Sequence, residues 1–422
     1  MGYVGIPLSC LLAQPGREVV GIDVSAERVD SINRGEYPLK GEEPELPGLL
    51  AEQVSRKRFR ASRDFSEIKK AKAVFICVDT PIDEKKEPRF EHLMAAVNEV
   101  GKNLSPGTLV VVESTIAPGT MRNKILPALE RRSGLKTGRD LYLAHCPERV
   151  MSGKLLNNLR NVDRVLGGFD EKSTEMAVRL YAPIMKSNLL LTDMTSAEVS
   201  KTAENAYRDV QIAFANEVGL ICEKLGLDAF EVRELVNSCP YRDMHTPGAG
   251  VGGHCLPKDP WLLAYGGREA NPRLIPAARR VNDSMPAHVV ELAIGAMKEA
   301  KVARGKKSCV AVFGLAFLDN SGDIRNSPAS VVIKLLRGGY RVIGHDPFVS
   351  EFEGVEVVES IDSALRAADC AIFLTRHKEY TMLRLEQIAK KMRHKVLIDG
   401  RNLFDKDKAE ELGIVYRGIG KG

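Results

Sequence analysis

The sequence predicts an α/β protein in which two doubly wound domains flank a central helical domain that contains a long helix. Short β-branched runs alternate with helical stretches up to residue 193, a long helical pattern follows, and the alternation resumes after residue 307. The length of 422 residues agrees with several domains, because one hydrophobic core rarely organises so long a chain. We therefore expect domains at residues 1–193, 194–300 and 301–422.

Four apolar runs in the first domain are typical of buried strands in a parallel sheet. These runs are Val19–Asp23, Ala73–Val78, Leu109–Val112 and Leu141–Ala144. Gly and Pro residues interrupt the chain between the runs, as they do in layered α/β domains.

The central domain is predicted from a helix between Thr195 and Gly226. Thr195 and Glu198 have the spacing of a capping box, and Gly226 is a natural C-terminal stop. Apolar residues recur along this helix at helical spacing and form one stripe. The stripe consists of Val199, Ala203, Ala206, Val210, Phe214, Val218, Ile221 and Leu225.

The basic stretch Lys301–Lys307 reads as a linker, and strand–helix alternation restarts after it. Four further runs predict the strands of the last domain. They are Cys309–Phe313, Tyr340–Asp346, Cys370–Leu374 and Lys395–Asp399.

Composition restricts the class of protein. A hydrophobic content of 44% with 28% charged residues indicates a soluble globular protein, and a net charge of +5 is too small for a dedicated nucleic-acid binder. Eight scattered cysteines without a C-x-x-C pair indicate neither a metal site nor a disulfide framework, which favours a cytoplasmic location. No run of 18 apolar residues and no signal-peptide pattern is present, so we expect no membrane association.

The segment Pro247–Pro260, called the Cys255 loop below, is the most informative part of the chain. It contains four glycines, at 248, 250, 252 and 253, followed by Cys255 and, four residues later, Asp259. Glycines let a backbone bend closely around a ligand, and such a loop suits a thiol that attacks an electrophile. A lone cysteine is otherwise a small core residue, and the segment alone does not decide between these interpretations.

The N-terminus resembles part of a dinucleotide fingerprint, with Gly2 and Gly5 as its second and third glycines. A pyrophosphate would lie at the following helix N-terminus, and Asp23 ends the next strand, where a carboxylate binds ribose hydroxyls and favours NAD over NADP. The first glycine and the strand that would precede it are absent from the sequence. We therefore expect an N-terminal domain that lacks its first strand, folds poorly or binds NAD weakly.

Ordered motifs along the whole chain resemble those of the UDP-glucose/GDP-mannose dehydrogenase superfamily. They are Gly2–Gly5, Asp79–Pro81, Glu113–Thr115, Pro118–Thr120, Pro147–Arg149, Lys201 with Asn205, the Cys255 loop, Gly322–Arg325 and Asp399–Arg401. The resemblance implies two Rossmann-like domains, NAD as cofactor and a nucleotide-sugar substrate. The motif Gly252–Cys255, followed by Pro257–Pro260, is similar to the motif of the family branch that acts on UDP-N-acetylhexosamines.

The implied reaction oxidises the C6 alcohol of the sugar to a carboxylate, with two NAD and water. Cys255 would form a thiohemiacetal and then a thioester. Lys201 and Asn205 would stabilise and orient the oxygen at C6, and Asp259 would position water and Lys201. The remaining catalytic roles fall to Glu148, as general base of hydrolysis, and to Thr115, which would bind the catalytic water.

The resemblance also implies binding residues. Those expected at the cofactor are Gly2, Tyr3, Val4, Gly5, Asp23, Arg28, Thr80, Pro81, Thr115 and Arg325. Those expected at the substrate are Glu148, Arg149, Val150, Lys201, Asn205, Arg242, His245, Gly250, Gly252, Phe317 and Arg401. His254 is assigned packing or substrate shaping, no metal site is expected, and the long helix is expected to build a homodimer or larger homo-oligomer.

Three positions depart from the family pattern. Leu318 stands where the family usually has a lysine that contacts substrate, and Ala249 stands where it usually has a proline. Tyr241 stands where an arginine is usual, and we expect the next residue, Arg242, to take the place of that arginine. UDP-ManNAc is the expected substrate, with UDP-GlcNAc and UDP-glucose as alternatives. A two-electron β-hydroxyacid dehydrogenase and a catalytically impaired nucleotide-sugar-binding relative are the competing classes.

Overall fold

The computed structural model of the chain describes residues 1–39, 43–151 and 153–422. It divides into two compact units, Met1–Glu204 with Trp261–Asn271, and Asn205–Pro260 with Pro272–Gly422. Largely parallel sheets occur towards both ends of the chain, with helices between them in sequence, which confirms the predicted fold class.

The strands of the first unit include all four that the sequence predicts. In chain order they are β1 Val19–Ile22, β2 Phe59–Ser62, β3 Ala73–Ile76, β4 Thr108–Val112, β5 Leu141–His145, β6 Arg164–Gly168 and β7 Leu189–Asp193. One sheet joins β1 and β2, and a second has the order β3-β4-β5-β6-β7. Every pairing is parallel except that of β5 with β6, where Ala144 lies opposite Gly168.

Helices cover these strands and carry the apolar core. They are α1 Gly5–Ala13, α2 Ala26–Asn33, α3 Leu46–Ser55, α4 Glu91–Asn103, α5 Leu126–Ser133, α6 Leu155–Asn161 and α7 Glu171–Tyr181. Short 3-10 turns occur at Phe65–Lys70 and Ala182–Ile184, and a π-helical turn at Met121–Ile125 precedes α5. One core cluster contains residues of both sheets, including Phe59 of β2 and Val111 of β4, so the two sheets share their apolar packing.

The start of the chain forms no strand. Residues 1–4 precede α1, and no described strand pairs with both β1 and β3. The Met1 side chain instead lies against Gly21 of β1, where an added Cβ would come within 2.8 Å of it. The expected weakness in folding or NAD binding stays a prediction.

The long helix α8 covers Met194–Leu225, which confirms the predicted helix to within one residue at each end. The predicted capping box is wrong. Asp193 caps this helix, because its carboxylate accepts the Thr195 and Ser196 N–H groups at 2.8 and 3.1 Å. Glu198 instead accepts N–H groups of the Gly119–Met121 segment.

The apolar stripe of α8 is only partly buried within this chain. Phe214, Ile221 and Leu225 are 58%, 52% and 65% exposed, respectively. The buried positions include polar residues, among them Lys201, Asp209 and Asn216.

The second unit continues from α8 with further helices and then a six-stranded sheet. The helices before the sheet are α9 Ala229–Asn237, α10 Asp259–Gly266 and α11 Leu274–Glu299, of which α10 belongs almost wholly to the first unit. The strands are β8 Gly305–Phe313, β9 Tyr340–His345, β10 Glu356–Val357, β11 Cys370–Phe373, β12 Val396–Asp399 and β13 Val415–Gly418. The remaining helices are α12 Pro328–Leu336, α13 Ile361–Ala367, α14 Lys378–Thr381, α15 Leu385–Lys391 and α16 Lys406–Glu411, and a 3-10 turn at Arg268–Ala270 follows α10.

The sheet order β10-β9-β8-β11-β12-β13 is that of a doubly wound dinucleotide-binding domain, with all pairings parallel. The four predicted strands are confirmed. The predicted linker Lys301–Lys307 is partly wrong, because β8 already begins at Gly305, which pairs with Tyr340. The order reverses between β8 and β11, so the crevice at the carboxyl ends of these strands is where a ligand is expected.

Candidate active site

The N-terminus of α1 carries the expected pyrophosphate-binding residues in the first unit. Val4 precedes the helix without a side-chain cap, and the Ile6 N–H donates to the Gly2 carbonyl at 3.1 Å. Among the described residues, no atom lies within 4 Å of the position that a Gly2 Cβ would take. Gly5 is buried, with Cys77 3.6 Å from its own Cβ position, and Tyr3 is half-buried against the core. Open space beside helix N–H groups fits a bound phosphate.

Asp23 and Arg28 are brought together at the carboxyl end of β1. Arg28 Nη1 lies 3.0 Å and the Met1 α-amino group 2.6 Å from Asp23 Oδ2, and the Ser25 N–H donates to Oδ1 at 2.9 Å. Burial raises the pKa of Asp23, but these donors outweigh it and hold the pKa below its usual value. The carboxylate is therefore ionised at neutral pH, which is the form that accepts ribose hydroxyls.

Thr80, Pro81 and Thr115 lie where β3 and β4 end. Thr80 Oγ1 donates to the Thr115 carbonyl at 2.6 Å, and both threonines are buried. The Pro81 carbonyl accepts the Arg89 N–H at 2.8 Å. These bonds fix the two loops that follow adjacent parallel strands, and those loops stand at the ligand-binding edge of such a sheet.

Glu148 follows β5 and is buried, with only 9% of its surface exposed. Its Oε2 accepts the Val150 N–H at 2.6 Å. Arg149 donates to the Asp163 carbonyl at 2.9 Å and pairs with Glu204 at 2.8 Å. The loop that carries Glu148 is thus tied by its own backbone and by the next residue, and its carboxylate is not a solvated surface group.

A buried ion pair beneath these loops has no role in the sequence interpretation. Arg164 donates to Glu113 at 2.5 Å and to the Cys146 carbonyl at 2.9 Å, and the Tyr181 hydroxyl also donates to Glu113. Glu113 lies two residues before Thr115, and Cys146 lies two before Glu148. The sequence signal for this pair was the Glu113–Thr115 motif, but nothing in the sequence indicated its partner Arg164.

Lys201 is only 5% exposed on α8, so it is not part of a solvated helix face. Glu198, one turn before it, is fully buried and accepts the Gly119 and Met121 N–H groups, each at 2.7 Å. Burial raises the pKa of Glu198 to about 7. Glu198 therefore holds the segment after Pro118 against the first part of α8.

In the second unit, the glycines of the Cys255 loop accommodate a side chain of the protein itself. A Cβ on Gly252 would come within 2.4 Å of Phe317 Cβ, and Gly253 has a φ of +93° and lies against the same ring. Gly250, with a φ of +128°, faces Pro286. The Gly253 N–H donates to the Arg325 carbonyl at 2.8 Å, and Asn326 Nδ2 donates to the Gly253 carbonyl at 2.9 Å. The loop is therefore shaped by the segment that follows β8.

Cys255 is half-buried, and its carbonyl accepts the Asp259 N–H at 2.8 Å as the chain turns into α10. Asp259 is fully buried, and its Oδ2 accepts a hydrogen bond from Asn205 Nδ2 at 2.6 Å. The structure thus brings Asn205 to Asp259. Lys258, to which the sequence interpretation gave no role, lies 3.4 Å from Asp259 Oδ1 and is 6% exposed.

The predicted arginines of the second unit have carboxylate partners or are exposed. Arg325 forms a two-pronged pair with Asp323, with Nε 2.9 Å from Oδ1 and Nη2 2.5 Å from Oδ2. Arg401 Nη2 lies 3.3 Å from each oxygen of Asp319. Arg242 is exposed, and its side chain contacts the carbonyl of the residue before it. Arg325 and Arg401 are therefore each positioned by a carboxylate of the same unit.

His245 is half-buried, three residues before the first glycine of the Cys255 loop. Burial, aided by the charge of Arg208, lowers its pKa. Among the described residues, no group of three or more His, Cys, Asp or Glu side chains is arranged to hold a metal ion. No helix in the described ranges is long and apolar enough to cross a membrane.

A nucleotide-binding enzyme built on doubly wound domains is the class that this fold and these residues define. Three family models match the chain: the NAD binding domain of the UDP-glucose/GDP-mannose dehydrogenase family over residues 1–185, its central domain over 195–284 and its UDP binding domain over 311–406. The chain belongs to the UDP-glucose/GDP-mannose dehydrogenase family, and it is an NAD-dependent nucleotide-sugar dehydrogenase.

Individual relatives match over their full length. The chain is 38% identical to the UDP-N-acetyl-D-mannosamine dehydrogenase of Pyrococcus horikoshii, over 100% of this chain and 98% of that protein. A solved structure of UDP-D-ManNAc dehydrogenase from Pyrococcus horikoshii has a TM-score of 0.91 at 37% identity and covers 100% and 98% of the two chains. The NDP-N-acetyl-D-galactosaminuronic acid dehydrogenase structure from Methanosarcina mazei Go1 has a TM-score of 0.89 at 40% identity, covering 100% and 94%.

Proposed function

We propose that this chain oxidises the C6 alcohol of a UDP-N-acetylhexosamine to the uronate, with UDP-ManNAc as substrate. The observation that carries the proposal is the Cys255 loop, in which a half-buried thiol precedes a fully buried Asp259 held at 2.6 Å by Asn205. A dehydrogenase that stops at an aldehyde needs no such thiol. UDP-ManNAc as the substrate is supported by the similarity to proteins named UDP-N-acetyl-D-mannosamine dehydrogenase.

The proposed chemistry proceeds in two oxidations. The C6 hydroxyl loses a proton and a hydride to give the aldehyde, with Lys201 and Asn205 at the C6 oxygen. The Cys255 thiolate then adds to the aldehyde carbon, and the thiohemiacetal loses a second hydride to become a thioester. Water attacks the thioester with Glu148 as base and Thr115 as its hydrogen-bond partner, which releases the carboxylate and restores the thiol. NAD, when bound, accepts one hydride in each oxidation.

The first unit supplies the proposed cofactor contacts other than Arg325. The α1 N-terminus and the space beside Gly2 fit the pyrophosphate, and the ionised Asp23 fits the ribose hydroxyls and disfavours a 2′-phosphate. Thr80 and Pro81 line the same edge of the sheet, and Arg325 is assigned to the cofactor by family resemblance. Phe317 and Arg401 are assigned to the nucleotide sugar, which agrees with their location in the region of the UDP binding domain model.

A stoichiometric assay tests this function. The protein is given a limiting amount of one nucleotide sugar, which is UDP-ManNAc, UDP-GlcNAc or UDP-glucose in separate reactions. When each reaction is complete, the moles of NADH and of uronate formed per mole of sugar are measured. We expect two NADH per sugar and the highest kcat/KM with UDP-ManNAc. A yield of one NADH per sugar would contradict the four-electron reaction. A higher kcat/KM with another sugar would contradict UDP-ManNAc as the substrate. No turnover with any of the three sugars would indicate a catalytically impaired nucleotide-sugar-binding protein.

We also propose that α8 joins two copies of this chain. Its exposed apolar residues recur at seven-residue spacing, and Tyr207, Phe214 and Ile221 are each more than half exposed. Monomeric proteins rarely leave a continuous apolar stripe along one helix in water. A second copy of the same helix would bury it, which agrees with a homodimer. The three-domain division at residues 193 and 300 is likewise a proposal, supported by the spans of the three family models.

A further inference from the structure

The Cys255 loop is held at both ends by one face of α8. At the C-terminal end of the loop, Asn205 Nδ2 donates to Asp259 Oδ2 at 2.6 Å. At its start, the buried Gly248 N–H donates to Asn216 Oδ1 at 2.8 Å. Asn205 and Asn216 are eleven residues apart, which places them on the same side of the helix about three turns, or roughly 16 Å, apart. The twelve-residue segment 248–259 thus extends between two asparagines of one rigid element.

The start of the loop is also fixed by packing. A side chain at Gly219, one turn beyond Asn216, would come within 3.0 Å of Pro247. Pro247 therefore lies directly on the α8 backbone. The Gly248 hydrogen bond acts on a segment that is already in close contact with the helix.

A chain of buried side chains sets the orientation of the Asn216 amide. Asn216 Nδ2 donates to Asn282 Oδ1 at 2.8 Å, and Asn282 Nδ2 donates to Asp209 Oδ1 at 2.8 Å and to the Asp209 carbonyl at 2.9 Å. Arg279 Nη1 donates to Asp209 Oδ1 at 2.5 Å. Each of these four side chains is at most 1% exposed.

The direction of this chain follows from its last member. Arginine has only donors, so Asp209 must accept, and the Asn282 nitrogen turns towards it. The Asn282 oxygen then faces Asn216, whose nitrogen donates to it. The Asn216 oxygen then faces the Gly248 N–H and accepts its hydrogen bond. A reversed amide at either asparagine would oppose two donors or two acceptors in a buried site.

We infer that Asn216 is a positioning residue for Cys255, with its amide oriented by the Asn282–Asp209–Arg279 network. This inference rests on the proposed function for the role of the thiol as nucleophile. Nothing in the family resemblance that led to Asn205 assigned a role to Asn216. The competing explanation is that the network only braces α8 against α11.

The decisive comparison is Asn216→Ala against Val332→Ala, a core substitution in the same unit at a fully buried position. Hydrogen–deuterium exchange is followed in peptides from the loop, and alkylation of Cys255 by iodoacetamide is followed by peptide mass. In Asn216→Ala we expect amide exchange at the loop start to become about tenfold faster, because its buried donor loses its partner. Cys255 alkylation should also rise severalfold, while Val332→Ala changes neither.

Kinetics distinguish positioning from general destabilisation. With the nucleophile displaced, kcat of Asn216→Ala should fall on the order of 10–100-fold. KM for NAD should change much less than kcat, because the proposed cofactor contacts other than Arg325 lie in the first unit. Asn282→Ala should shift exchange, alkylation and kcat in the same direction by less, and it decides the question if Asn216→Ala does not fold.

Loop exchange and Cys255 alkylation that match Val332→Ala in both variants would overturn the inference and leave a brace between helices. Both readouts are taken without substrate. A wild-type protein that forms no uronate therefore refutes the proposed function, whereas unchanged loop exchange refutes only the role of Asn216.

Discussion

At the scale of single residues, the candidate site depends on groups that burial has taken out of water. Lys201, Glu148 and Asp259 would be solvated in most helices and turns, but each is at most 9% exposed. A buried polar side chain costs stability unless it is paired, so its presence is more informative than its residue type. The sequence named these three residues, but only the fold revealed their burial.

Cys255→Ser should abolish the second oxidation, because a hydroxyl is a far weaker nucleophile than a thiolate at neutral pH. We expect uronate formation to fall by at least about 10³-fold, with sugar binding retained. The measurement is product analysis by mass spectrometry alongside NADH counting. Cys239→Ser is the matched control, since Cys239 is exposed in the same unit, and it should keep wild-type activity. Full uronate yield from Cys255→Ser would exclude the thioester route.

Gly252→Ala tests why the loop needs glycine. The new methyl group would lie 2.4 Å from Phe317 Cβ, so we expect a loss of about 1–3 kcal/mol in the free energy of unfolding. In a Phe317→Gly background, which lacks the Cβ that the new methyl group meets, adding Gly252→Ala should cost less stability than it does in the wild type.

The control is Gly295→Ala in α11, where no atom of the residues that the structure describes lies within 4 Å of the added Cβ. That change should stabilise by up to about 1 kcal/mol, because alanine is the better helix former. Urea unfolding of the four variants measures all of these differences. A harmless Gly252→Ala would contradict the packing argument.

At the scale of secondary-structure elements, α8 has two distinct faces. One face carries the buried Lys201 and Asn216 and the half-buried Asn205, whereas Phe214 and Ile221 of the apolar stripe are exposed. Hydrophobic periodicity identified the helix and its bounds but not which face is covered by this chain. The reason is that an apolar stripe can be buried by the same chain or by a second copy.

Phe214→Glu combined with Ile221→Glu should dissociate the proposed dimer, because two charges would be buried in its interface. We expect light scattering coupled to size exclusion to give about 46.4 kDa for the variant and twice that mass for the wild type. Met382→Glu, also at an exposed apolar residue of the second unit, is the control and should leave the mass unchanged. A monomeric wild type would contradict the proposal.

At the scale of the whole molecule, both units are α/β in architecture, but they divide their strands among sheets differently. The second unit has one six-stranded parallel sheet, whereas the first unit divides its strands between β1–β2 and β3–β7. Each has candidate residues after the carboxyl ends of strands, such as Glu148 after β5 and Arg401 after β12. His145, at the end of β5, couples the stability of the first unit to pH.

Burial lowers the pKa of His145 from its usual 6.5 to about 4. The unfolded chain therefore binds a proton between these values and the folded chain does not, so stability falls as pH falls from 6.5 to 4. The expected loss between pH 7 and pH 5 is roughly 2 kcal/mol from this residue.

His145→Asn keeps a nitrogen donor towards the Val112 carbonyl, which His145 Nδ1 contacts at 2.9 Å, but it does not titrate. Urea unfolding at pH 7 and pH 5 measures the free energy of unfolding. Its loss between the two pH values should be smaller in the variant than in the wild type by roughly 2 kcal/mol. An equal pH effect in both proteins would show that His145 is not the group responsible.

The sequence by itself determined the α/β class, eight of the strands, the long helix and the identity of the chemical groups. Apolar periodicity and ordered motifs are local in the chain, and Cys255, Lys201 and Asn205 could be found from them. Only the tertiary structure decided that Asp193 and not Thr195 caps α8, that Phe317 dictates the glycines, and that Asn216 reaches Gly248. These contacts join residues distant in sequence, and no local pattern records which buried donor meets which acceptor.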